Sequence, residues 1–140
     1  MTKSPQRGLC VLLVQGSTYD RLYQACSLTV TWAALGHPVA IFFFYGALAK
    51  LVDGRLDAPD FDGPDAERLR TGFERRNPVP LASMLADAKR FGHGVTVGAC
   101  SGSLDVLGAS EGGVDVGIDV VMGLPGILRM AESAERFVTL

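Results

Sequence analysis

The chain is poor in the features that mark the commonest specialised proteins. Its formal net charge is only −2, with 13 Lys and Arg against 15 Asp and Glu, so the basic footprint of a nucleic-acid binder is missing. Its three cysteines, Cys10, Cys26 and Cys100, are odd in number, widely spaced and form no CxxC. That argues against a zinc knuckle, a thioredoxin-type dithiol and a disulfide framework, and no metal or cofactor is expected. Charge is absent from residues 22–49 apart from His37, but Gly36-His37-Pro38 splits that stretch into two pieces, each short of the roughly 20 residues a spanning helix needs. Lys3 and Arg7 precede residues 9–14 as in a secretory signal, yet the apolar part is short and runs into Gln15-Gly16-Ser17-Thr18-Tyr19-Asp20 rather than a small-residue cleavage site. A cytoplasmic protein is expected, and no membrane partner. Repeats, low-complexity tracts and an Asn-Gly hairpin turn are also lacking.

What the chain does have is apolar substance, with a mean hydropathy of +0.25. At 140 residues it fits a single domain with one core, and its apolar surplus points to burial between subunits. Residues 9–15 (LCVLLVQ) read as a first buried strand, closed by Gly16-Ser17-Thr18. Ser17 or Thr18 is placed to cap a helix over 19–35, with Asp20 in its first turn and Gly36 as its stop. Residues 39–44 (VAIFFF) form a second, central strand, ended by Tyr45-Gly46 ahead of a short helix over 47–52. Residues 53–76 are densely charged and broken by Pro59, Gly63 and Pro64. With Asn77-Pro78-Val79-Pro80 they make an excursion at about 53–80, carrying one helix over 65–73, that reads as a solvated loop or as a cover or docking segment near the strand ends.

An amphipathic helix follows over 81–91, then a strand over 95–99, a short helical piece over 101–107, a turn at Glu111-Gly112-Gly113, a strand over 118–122, a helix from Pro125 to 134 and a last strand over 136–140. Alternating strands and helices imply a largely parallel sheet covered on both sides. In such a sheet the loops after the strands gather on one edge, where open α/β sheets put their chemistry. Those loops hold Ser17, Thr18, Tyr19, Tyr45, Cys100, Ser101, Gly102, Ser103 and Leu124. Cys100 is the one thiol at that edge, at a strand end and a helix start that favours thiolate; Cys10 and Cys26 read as packing residues.

The helpers of a self-sufficient thiol enzyme are missing. His37 and His93 precede strands, which places them about 16 Å from Cys100 across a five-residue strand, so Cys–His catalysis within one subunit is poorly supported. An oxyanion-clamping Arg six residues after the nucleophile is absent too, that position being Val106. A thiol flanked by backbone amides, Ser101 and Ser103 suits reversible sulfur transfer. A packed cysteine in a non-catalytic oligomeric binding subunit, or a small-molecule or nucleotide pocket at the Ser17, Tyr45 and Cys100 edge, are the alternatives.

The order LCVLLVQGSTYDRLYQACSLTVTWAALGHPVAIFFFYGAL, charged excursion, PLASMLADAKRFGHGVTVGACSGSLDVLG, GIDVVMGLPGILRMAESAERFVTL resembles the DsrE/DsrF-like family of small sulfur-relay proteins over nearly the whole chain. The resemblance implies a three-layer α/β/α sandwich around a mainly parallel five-stranded sheet, a homotrimer or hexamer, and a persulfide-carrying cysteine after the third core strand, the position of Cys100. It also implies a sulfur donor or acceptor protein as partner.

Overall fold

Val39–Phe43 holds no polar side chain, and in the computed structural model it is β2, buried along its whole length in the middle of the sheet. The structure describes residues 7–109 and 117–140; the turn expected at Glu111-Gly112-Gly113 lies outside the described residues. In chain order the elements are β1 (Cys10–Val14), α1 (Tyr19–Ala34), β2, α2 (Tyr45–Val52), α3 (Ala66–Arg76), α4 (Leu81–Phe91), β3 (Val95–Cys100), α5 (Ser101–Val106), β4 (Val120–Met122), α6 (Leu124–Glu132) and β5 (Arg136–Thr139). The five strands run parallel in the order β4-β3-β2-β1-β5. No described helix is long and apolar enough to cross a membrane.

This strand order decides which face each helix covers. From β1 to β4 the chain steps in one direction, so right-handed crossovers put their helices on one face; the return step to β5 puts α6 on the other. The packing follows. Leu12, Val14, Ile41, Phe43, Val97 and Ala99 meet Leu22, Leu48, Leu81, Leu85 and Leu104 on the first face. Val11, Ala40, Phe42, Phe44 and Cys100 meet Ile127 of α6 on the second. The result is a three-layer α/β/α arrangement in which, among the described residues, the second layer of helix is a single short element.

The ends of elements moved by a residue or two from those read in the sequence, and one cap is made differently. Thr18 stands at the N-cap of α1, but its side chain makes no capping hydrogen bond and its buried hydroxyl has no partner among the described residues. The Tyr19 N–H donates instead to the Asp60 carbonyl at 2.8 Å, so the expected side-chain cap is supplied by the backbone of the excursion. The excursion is tied down rather than loose. Leu56 is buried, the Asp57 carboxylate accepts the Leu81 N–H at 2.9 Å at the start of α4, and Phe61 and Phe73 pack on Tyr19 of α1 at ring separations of 5.7 and 5.0 Å. Helix α3 runs to Arg76, three residues beyond the expected end, and stops where Asn77 turns left-handed at φ 49.

Candidate functional site

Strand register sets the site. Cys100 pairs with Met122 across β3 and β4, and Phe43 pairs with Ala99 across β2 and β3. The next row, Phe44, Cys100 and Met122, therefore crosses the carboxyl edge of the sheet on the second face, where Ile127 packs against it. The Cys100 residue is 6% exposed. Its sulfur lies 3.9 Å from the point where a Cβ on Gly102 would sit, so the absence of a side chain there leaves the sulfur beside the first turn of α5. The Ser101 hydroxyl comes within 3.5 Å of the corresponding point on Gly123, which joins the loops after β3 and β4. Leu124, half-exposed, opens α6 one residue further on.

Tyr45 follows Phe44 with φ 42, a left-handed backbone on a bulky residue. That conformation costs about 1–2 kcal/mol for an L side chain, and such strained positions gather at functional sites. The Tyr45 side chain is 44% exposed. Gly46 beside it leaves room for Ser17, whose Oγ lies 3.1 Å from the position of an added Cβ. Ser17 thus reaches the Tyr45 turn, and with Gln15, Gly16, Arg21, Phe44 and Thr139 it also borders a cleft of about 530 Å³. This cleft sits where the strand order reverses between β1 and β5, the usual ligand position in doubly wound sheets.

The other sequence-selected residues go elsewhere. The buried Ser103 hydroxyl has no partner among the described residues, and Ser103 packs inward beside Leu104. Tyr19 turns away from Cys100 into the aromatic cluster under α3, where burial, then the Asp57 charge, push its hydroxyl to about 12. There it borders a second cleft, of about 320 Å³, with Asp57, Phe61, Arg70, Phe73 and Glu74. Both histidines lie at the amino edge: His37 Nδ1 is 2.8 Å from the Gly8 carbonyl oxygen and 3.6 Å from the Glu135 carboxylate, and His93 is exposed in the turn before β3. Burial pushes the Cys26 thiol up to about 12 and, with Glu135 adding to it, raises that of Cys10. Among the described residues no three His, Cys, Asp or Glu side chains converge to hold a metal.

Lys50 was not singled out by sequence reasoning. It is buried in α2, donates to the Ser17 carbonyl, and pairs with the Asp60 carboxylate at 2.6 Å. Its ammonium thereby joins the β1–α1 turn to the excursion. The signal was a lone lysine inside the apolar run 47–52, where a solvated lysine would stand beside other polar residues.

No family model matches this chain, and no curated protein matches it. Among solved structures, one described as the protein of unknown function MTH1491 from Methanobacterium thermoautotrophicum superposes with a TM-score of 0.64 at 13% identity, covering 96% of this chain and 100% of that one. At that identity the likeness concerns the fold alone.

Proposed function

We propose that this protein, as a member of the DsrE/DsrF-like family, carries sulfane sulfur as a persulfide on Cys100 and passes it to a partner protein. In the loading step the Cys100 thiolate attacks the outer sulfur of a donor persulfide. A new S–S bond forms at Cys100, the donor S–S bond breaks, and the donor leaves as a thiolate. Unloading is the same exchange with an acceptor thiolate, and no external oxidant or reductant is consumed. The observation that carries this reading is the position of Cys100: of the three thiols it alone ends a strand at the carboxyl edge, in the row Phe44, Cys100, Met122 beside the strained Tyr45 turn. The raised thiols of Cys10 and Cys26 make poor competitors at neutral pH. The reading includes a cytoplasmic homotrimer or hexamer, supported by half-exposed Leu124, Leu128 and Phe137 around the thinly covered second face.

The test is mass spectrometry of the intact protein and its peptides after incubation with a small persulfide such as glutathione persulfide. Added sulfur on the Cys100 peptide, lost in Cys100→Ser, supports the reading; the same sulfur load in Cys100→Ser refutes it. A second reading, a non-catalytic oligomeric subunit in which Cys100 is packing, is favoured by its 6% exposure. It requires that Cys100 be alkylated no faster than Cys10 or Cys26 in the folded protein. A small-molecule site in the 530 Å³ cleft is the third, and a nucleotide and flavin panel that leaves the melting temperature unchanged counts against it.

A further inference from the structure

Helix α3 carries three of its four arginines on one face. At 100° per residue, Arg68, Gly72, Arg75 and Arg76 fall within an arc of about 100°, while Glu67 and Glu74 lie on the opposite side. Arg70 lies on that opposite side too, where it is engaged by the Glu67 carboxylate at 3.4 Å, the Pro59 carbonyl at 3.0 Å and the Phe61 ring. Arg68 has only a 3.7 Å contact with Asp65, with both side chains mostly exposed, and among the described residues Arg75 and Arg76 have no ion pair.

Two features of this face work against the stability of the helix itself. Arg68 sits in the first turn, where the helix dipole disfavours a cation. Gly72 sits in the helix interior, where glycine costs about 1 kcal/mol relative to alanine, and among the described residues a Cβ built there would meet nothing within 4 Å. Packing within the chain therefore does not require that glycine. Its effect is to open a saddle between Arg68 and Arg76, floored by Tyr23, Leu69 and Phe73, that encloses about 310 Å³. Eight residues of helix separate the two guanidinium-bearing positions by about 12 Å, close to the span of four residues of extended chain, about 13 Å.

We propose that the Arg68–Gly72–Arg76 face of α3 docks an extended acidic segment of a partner protein, with a carboxylate at each arginine and an apolar side chain over Gly72. Charge complementarity selects the partner and the Tyr23, Leu69 and Phe73 floor holds its apolar residue. This does not depend on the sulfur-carrier reading of Cys100.

The probe is a fluorescein-labelled peptide, Glu-Asp-Glu-Leu-Phe-Glu-Asp-Glu, titrated with the full chain and followed by anisotropy. Saturable binding is expected, weakened at least tenfold by Arg68→Glu with Arg76→Glu. Arg90→Glu with Arg129→Glu makes the same change in net charge elsewhere and should stay within twofold of the parent. Gly72→Leu fills the saddle without reversing charge and should also weaken binding at least tenfold; it keeps the test decisive if the double arginine variant does not fold. The proposal is overturned by absence of saturable binding, by equal loss in the Arg90 and Arg129 variant, or by equal affinity for a peptide with Leu and Phe replaced by Ser. Tighter binding of an oligothymidylate or of phosphatidylserine-containing vesicles through the same arginines overturns it as well.

Discussion

Ile127 is the one fully buried residue of α6, and its side chain closes the second face over Phe42, Phe44 and Cys100. Ile127→Ala removes most of that contact. Burying and then truncating such a side chain costs about 2–5 kcal/mol; the partly buried Met122, Met130 and Ala131 around it are able to close in, so a value of about 2–3 kcal/mol applies. If α6 lifts locally, the whole of that loss goes into the population of the open form. At tenfold per 1.4 kcal/mol, Cys100 alkylation should then rise about 30- to 150-fold. The assay is iodoacetamide labelling of the native protein with peptide mass mapping, and Cys26 on the opposite face is the internal control. Ile127→Val should give only a two- to tenfold rise, from a loss of about 0.5–1.5 kcal/mol. Equal acceleration of Cys100 and Cys26 would refute the reasoning, because it would mean that Cys100 is reached only through global unfolding.

Three further outcomes are expected. Gly72→Ala should raise urea-unfolding stability by about 0.5–1 kcal/mol, since its Cβ enters open space. Gly98→Ala should cost about 1–3 kcal/mol in the same measurement, because its Cβ would fall 2.4 Å from the Phe42 ring. The Lys50 hydrogen bond and charge hold the Asp60 carboxyl below its ordinary value. Its contribution to stability is therefore present above the unfolded carboxyl pKa and lost as pH falls through the lower, folded value; thermal melts of Asp60→Asn across the acid range should lack that component.

The elements were legible because their signals are local. Apolar runs at 9–15 and 39–44, the glycine at 36 and the period of 81–91 lie close to the observed β1, β2, the end of α1 and α4. What escaped depends on partners far along the chain. Thr18 has the chemistry of a cap, but Asp60 arrives to take the Tyr19 N–H. Tyr19 belongs by sequence to the loop near Cys100, yet Phe61 and Phe73 draw it under α3. Lys50 is buried because one carbonyl and one carboxylate from separate segments meet its ammonium, and spacing alone does not reveal that Ser17 and Asp60 converge on it. Cys100 itself was placed at its edge by strand direction alone, whereas the covering by Ile127 follows from the return crossover to β5.

That return crossover has a consequence for the order of assembly. The last strand lies against the first, so β5 joins the sheet through the contacts most distant in sequence, the slowest kind to close. A chain emerging in order can complete β1 to β4 with the first-face helices while Phe42 and Cys100 have no cover. Helix α6 and β5 then dock together over that uncovered surface. Native-state hydrogen exchange should find the Ile127 and Val138 amides less protected than those of Leu12 and Ile41.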